Sequence, residues 1–186
     1  MKWGDVMNNK LKELVLIGLF AALTFVATSM IALQVGFLES GFVHLGTTVA
    51  VISLIVAGRK VGMFSAAIGM ALFNVLSPTI IWAPATFIAR LGMGYIMGTI
   101  IYSKGRNGEN VLFNIIGLIC GGLFFMSVMY VYQALVVSNN WIVPSAGIPG
   151  NITQLVLAGI IGIPVGKLLK RYVRLPVSSG FLSETR

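Results

Sequence analysis

Residues 14–33 read LVLIGLFAALTFVATSMIAL, twenty positions without one charged side chain. A helix of that length rises about 30 Å, the thickness of a bilayer's hydrocarbon core. The run is too long for a cleavable signal, and no small-residue cleavage site precedes the next apolar run. It is read as the first membrane span. Working outward, the basic residues punctuate the rest. Of thirteen Lys and Arg, twelve fall in four clusters: Lys2, Lys10 and Lys12; Arg59 and Lys60; Lys104 and Arg106; Lys167, Lys170, Arg171, Arg174 and Arg186. Apolar stretches separate the clusters in pairs, so each pair of spans goes out and returns. Short loops rich in Lys and Arg stay cytoplasmic. The expectation is an all-α integral membrane protein with six transmembrane helices and both termini cytoplasmic. Arg90 is the one basic residue inside an apolar span.

Composition agrees. The chain is 57% hydrophobic and 10% charged, with a mean hydropathy of +0.94. A soluble domain of 186 residues could not hide that much apolar surface. A net charge of +8 is explained by loops beside anionic headgroups rather than by nucleic acid. The lone cysteine, Cys120, lies in an apolar run and is expected to be a buried thiol.

The expected path is a single membrane domain over 1–186. It comprises a polar, basic lead-in at 1–13, a bundle over 14–172 and a cytoplasmic tail at 173–186. Within the bundle, the first span at 14–33 leads to an outer loop at 34–43 carrying Glu39. Spans at 44–57 and 61–76 follow, joined by the tight turn Gly58-Arg59-Lys60. Both are short for a bilayer that needs about 20 residues per helix, so they tilt or thin the membrane. Ser77-Pro78 breaks the chain. A span at 80–102 holds Pro84 and Arg90, 103–110 is an inner loop, and 111–137 is the fifth span. An uncharged outer loop at 138–150 precedes a last span at 152–169, kinked at Pro164. No repeat is evident, and the halves do not read as inverted copies, which weakens a stand-alone alternating-access transporter.

Catalysis has little material here: one His, one Cys and five acids. H-E-x-x-H, C-x-x-C and G-x-S-x-G are absent, and no metal site is expected. Gly162-Ile163-Pro164-Val165-Gly166-Lys167-Leu168 has the wrong glycine spacing for a phosphate loop, and Leu168 stands where Ser or Thr should hold magnesium.

The polar residues gather at the outer ends of the spans. They are Glu39 and His44; Asn74; Trp82 and Thr86, with Arg90 about 12 Å deeper at 1.5 Å per residue; Tyr130, Tyr132 and Gln133; Asn139, Asn140 and Trp141; Asn151 and Gln154. Rings that stack and amides that read an edge suit a small, planar, polar heterocycle. The candidate binding residues are Glu39, His44, Asn74, Trp82, Thr86, Arg90, Tyr130, Gln133, Asn139, Asn140, Trp141 and Asn151. Each has a plainer reading. Trp82 and Trp141 fit an interfacial belt, Asn139 and Asn140 fit a turn, and His44 fits a structural hydrogen bond. Arg90 is harder to dismiss, since a charge inside a span costs at least ~2.5 kcal/mol. Gly18 and Ala22, one turn apart on the first span, form a small-residue face that a partner helix could approach closely. Gly62, Ala66, Gly69, Gly92, Gly94 and Gly98 fit internal packing.

Three blocks carry a resemblance: Val43-His44-Leu45-Gly46-Thr47; Ala57-Gly58-Arg59-Lys60-Val61-Gly62; and Trp82-Ala83-Pro84-Ala85-Thr86-Phe87-Ile88-Ala89-Arg90-Leu91-Gly92-Met93-Gly94. Together they resemble the substrate-binding S components of energy-coupling factor (ECF) vitamin transporters, in the riboflavin-type sequence family and nearest its hydroxymethylpyrimidine- and pyridoxine-assigned members. The similarity spans about Leu11 to Arg171.

The resemblance implies a six-helix subunit in a prokaryotic plasma membrane that binds a water-soluble vitamin or precursor from outside. It implies no covalently bound cofactor. Its partners would be a transmembrane coupling protein (the T component) and two cytoplasmic ATPases that use the ATP. The family's small-x-x-x-small docking motif maps to Gly18 and Ala22, and the S component topples to carry its ligand inward. Where the family often has Asp, this chain has Thr47 and Asn74; where it often has Lys, this chain has Arg90. The lost carboxylates favour a neutral or anionic ligand over a cationic one. Hydroxymethylpyrimidine and pyridoxine fit that pattern; riboflavin would need a larger cavity. The competing readings are a stand-alone ion-coupled secondary transporter of a small heterocycle and a membrane scaffold.

Overall fold

The structure, a computed structural model, describes residues 9–30, 32–34 and 42–172. Its elements are α1 (Asn9–Met30), β1 (Ala32–Gln34), β2 (Phe42–His44), α2 (Gly46–Val75), α3 (Ala83–Tyr102), α4 (Val111–Tyr132), α5 (Ile148–Leu157) and α6 (Ile163–Tyr172). Glu39 and the tail at 173–186 lie outside the described residues, as does the lead-in up to residue 8; residues 9–13 already belong to α1.

Among the described residues, five helical stretches are long and apolar enough to cross a membrane: Lys10–Met30, Gly46–Val75, Ile80–Gly105, Val111–Val137 and Val143–Tyr172. The expected three-residue turn Gly58-Arg59-Lys60 is tighter than the sequence suggests. The spans expected at 44–57 and 61–76 are joined with no loop between them. Inside α2 only Gly58 leaves helical geometry, at φ 91 and ψ 168, a conformation open essentially to glycine alone. That single residue turns the chain back on itself. The Ser65 and Ser53 hydroxyls are 3.3 Å apart, whereas twelve residues along a straight helix would separate them by about 18 Å. A Cβ at Gly62 would lie 2.5 Å from the Leu54 Cα. Element α2 is therefore a hairpin with arms at 46–57 and 59–75.

Other boundaries also move. The first helix ends at Met30 rather than 33, because Ala32–Gln34 pairs antiparallel with Phe42–His44. Pairing satisfies backbone groups that hydrocarbon would leave bare. His44 thus ends a strand instead of starting a helix. Pro84 sits in the first turn of α3, where its missing N–H costs nothing. Asn110 caps α4, its Oδ1 accepting from the backbone N–H of Leu112 at 3.0 Å and of Phe113 at 3.3 Å. The last span is helical from residue 148, with a π-turn at 158–162 directly before Pro164. A proline there removes one ladder donor, and the wider π-turn absorbs the gap.

The core joins Val51, Leu54 and Ile55 of the first α2 arm to Ala89, Met93, Met97 and Ile101 of α3, with Leu118, Phe125, Ala158 and Ile163 closing it. On α1 the buried stripe is Ala21, Thr24 and Thr28; it meets α2 where Gly69 would place a Cβ 2.5 Å from the Ala21 carbonyl. Leu14, Leu19, Leu23 and Val26 face outward, as lipid contact requires. Cys120 is exposed, contrary to expectation. Its neighbours Gly117 and Gly121 take the packed face of α4, and a uniformly apolar helix gives no hint of which side that is.

The basic clusters converge on one end. Lys60 pairs with Glu13 at 2.6 Å. Arg59 donates to the Thr99 hydroxyl at 3.1 Å. The Lys170 ammonium donates to the Ile55 carbonyl at 2.9 Å and contacts the Tyr102 hydroxyl at 3.0 Å, and it also reaches the Asn107 carbonyl. The α2 hairpin turn, the 103–110 loop, the start of α1 and the end of α6 therefore share this basic end.

Candidate binding cavity

At the opposite end a cavity of about 470 Å³ opens between α2, α3, α4 and α5. That volume matches sites for compact organic ligands. Thr86 and Arg90 stand one turn apart on α3 and so share a face; Arg90 is 3% exposed. Its Nη2 donates to Gln154 Oε1 at 3.0 Å, its Nη1 approaches Met93 Sδ at 3.5 Å, and its guanidinium lies 3.8 Å from the centre of the Phe125 ring. Arg90 Nε and Gln154 Nε2 have no partner among the described residues.

A second polar knot fixes the rim. Asn74 Nδ2 donates to Thr86 Oγ1 at 2.7 Å, and Asn74 Oδ1 accepts from Thr79 Oγ1 at 3.0 Å. One amide thereby ties the end of α2 to the 77–79 turn and to α3. Beside the cavity, Trp82 lies 6.1 Å from Tyr132, ring centre to ring centre, and the Tyr132 hydroxyl donates to the Ile81 carbonyl at 2.6 Å. The Tyr130 hydroxyl donates to the Trp141 carbonyl. His44 reaches the cavity from the end of β2, and its Nδ1 is buried without a partner. Burial first, and then the positive charge of Arg90, lower its imidazole from 6.5 to about 3, so the ring is neutral at physiological pH.

Of the residues expected to bind, the cavity gathers His44, Asn74, Trp82, Thr86, Arg90, Tyr130, Gln133 and Asn151. Asn139, Asn140 and Trp141 stay outside it. Asn139 takes a left-handed turn conformation with φ 47, Asn140 Oδ1 accepts from the Ile142 backbone N–H at 2.8 Å, and Trp141 is exposed. These are turn roles, the plainer alternative for both amides. The cavity adds residues not singled out for binding: Thr28, Met70, Thr79, Phe125 and Gln154. Gln154 had a signal in its place among the polar residues opening the last span. Thr28 had a weaker one, lying seven residues after Ala21 on one helix face. Met70 and Phe125 had none, being apolar residues in apolar helices.

A second hollow of about 550 Å³ runs between α4 and the α5–α6 stretch, walled by side chains such as Ile119, Leu123 and Ile160. It offers a ligand almost no hydrogen bond and suits a lipid chain. On α1, Gly18 and Ala22 are exposed, and a Cβ at Gly18 would meet nothing within 4 Å. Among the described residues no group of three His, Cys, Asp or Glu side chains could hold a metal.

Comparison with known proteins places this geometry. A family model described as "ECF-type riboflavin transporter, S component" matches residues 8–171. The chain also superposes on a solved structure of the S component of a bacterial ECF transporter, with a TM-score of 0.72 and 20% identity. That match covers 89% of this chain and 99% of the other. No curated protein sequence matches.

Proposed function

This chain belongs to the ECF-type riboflavin transporter S-component family, and from that membership we propose that its cavity binds a small planar heterocycle, hydroxymethylpyrimidine or pyridoxine in kind, for ATP-driven import. Members are multi-pass membrane subunits that confer vitamin specificity on a transporter; they are not enzymes. The observation that carries the finer reading is the joint placement of Arg90, Gln154, Asn74, Thr86 and His44 around about 470 Å³ with aromatic rings on its wall. Amides and hydroxyls can read the edge of a ring, while Trp82, Phe125 and Tyr130 offer faces.

In this reading the two arms of α2 cross separately, which gives six crossings. The basic end faces the cytoplasm of a prokaryotic cell with both termini, and the cavity faces outward. The exposed Gly18–Ala22 face on α1 docks a coupling protein, and two ATPases supply the energy. A Cβ at Gly18 meets nothing within 4 Å among the described residues, so Gly18→Leu is expected to leave ligand affinity unchanged and to abolish ATP-dependent uptake in vesicles holding the whole transporter.

The experiment for the binding role is native mass spectrometry of the detergent-purified chain, titrated with pyridoxine, hydroxymethylpyrimidine, riboflavin and pantothenate. One adduct saturating at or below micromolar concentration supports the reading. Uptake by this chain alone, driven by an ion gradient, would replace it with a secondary transporter.

A further inference from the structure

We propose that the ligand carries an anionic group, a carboxylate or a phosphate, seated against Arg90. This inference rests on the cavity being the ligand site and shifts the ligand from the free alcohols named above to an acid or phosphate ester of a comparable small molecule.

The observation is a buried charge without a counter-charge among the described residues. Arg90 is 3% exposed, and among the described residues no Asp or Glu lines the cavity. Among the described residues the acids are Glu13 and Glu109. Glu13 pairs with Lys60 at the basic end, and Glu109 lies in the 103–110 loop at that same end. The neighbours that Arg90 does have are neutral. Gln154 Oε1 at 3.0 Å is an amide oxygen, Met93 Sδ at 3.5 Å is a weak acceptor, and the Phe125 ring attracts a cation without neutralising it. Buried charges are normally paired, because the surroundings no longer screen them. In a membrane span an ionisable residue marks the path of a substrate or ion more often than it supports the fold.

The hydrogen-bond inventory points the same way. Arg90 Nε and Gln154 Nε2, on two side chains that line the cavity, are both buried donors without partners among the described residues. Arg90 already holds the Gln154 oxygen, which leaves the amide NH₂ as the free end of that side chain. Two free donors, one of them on a cation, call for a group with several acceptor oxygens. A neutral ring carbonyl, with two lone pairs, could take both donors but would leave the charge unanswered. A carboxylate or phosphate takes both and neutralises it, in the geometry for which a guanidinium is suited.

The test uses the full purified chain and three matched pairs: pyridoxine 5′-phosphate against pyridoxine, riboflavin 5′-phosphate against riboflavin, and pantothenate against panthenol. Dissociation constants are measured by calorimetry for the wild type and for Arg90→Met. In at least one pair the anionic member is expected to bind at least about tenfold tighter, with Arg90→Met erasing the difference. Preference confined to the phosphate pairs, or to pantothenate, tells which anion the site takes. If Arg90→Met does not fold, Arg90→Lys replaces it; keeping the charge and losing the fork, it should retain only part of the preference. Neutral members binding as tightly as anionic ones would overturn the inference and leave the vitamin-binding reading intact. So would a preference that survives Arg90→Met. Binding of none of the six by folded protein would overturn both.

Discussion

At the basic end a methyl group added at Gly62 would sit 2.5 Å from the Leu54 Cα, and one at Gly94 would sit 2.7 Å from the Met63 Cα. At the other end the same helices stand apart around about 470 Å³. Glycines draw the basic end together. Gly117 lets α4 approach Met97 and Ile101 of α3, and Gly162 and Gly166 let the last span approach the first arm of α2. Small residues allow helices without a hydrophobic driving force between them to pack by close backbone contact. Toward the cavity, larger and more polar side chains take over, with Asn74 bonded to Thr86 and Arg90 to Gln154. One end therefore holds the bundle together while the other keeps a shaped hollow open.

Substitutions can break that contrast. The largest effect is expected from Gly62→Leu. The Leu54 backbone cannot yield as a flexible side chain could, so the variant should lose roughly 3 kcal/mol or more of stability, or fail to fold; detergent-resistant thermal unfolding checks it. Next is Gly58→Ala. No atom lies within 4 Å of the new methyl, so only the φ 91 backbone is strained, and about 1–3 kcal/mol should be lost. A Gly58→Ala protein as stable as wild type would mean that the hairpin turn is not held at that residue.

The third test uses pH. A neutral buried His44, at about 3 against 6.5 unfolded, binds fewer protons folded than unfolded. Its contribution is whole above pH 6.5 and is lost as pH falls through that window toward the folded value, by as much as about 1.4 kcal/mol per unit. Melting curves from pH 8 to pH 4 should be flat and then decline, and His44→Gln should remove part of the decline. Smallest is the stability change in Arg90→Met. Gln154 Oε1 loses a donor while an unpaired buried charge disappears, and these opposing terms should leave the folded state within about 1 kcal/mol of wild type. A collapse of Arg90→Met would assign Arg90 to the fold and erase the distinction between the two ends.

The spans could be read from the chain because charge and hydropathy alternate on the scale of a bilayer. Arg90 could be read because a charge amid apolar residues must be answered. What escaped had physical reasons. A three-residue strand such as Ala32–Gln34 carries no periodicity. Gly58-Arg59-Lys60 announces a turn but not that glycine alone makes it. In a helix apolar on every side, hydropathy cannot tell the lipid-facing Cys120 from the cavity-facing Phe125. Asn serves turns and ligands equally, so Asn139 and Asn140 looked like Asn74 and Asn151, and only the fold separates them.

The most direct test is a structure of the chain with the tightest-binding compound from the titrations. The account predicts that compound lying between Asn74, Thr86 and Arg90, with an acceptor group within hydrogen-bond distance of Arg90 Nε. A compound bound instead in the aliphatic groove by Ile119 and Ile160, with Arg90 Nε still unpartnered, would contradict it.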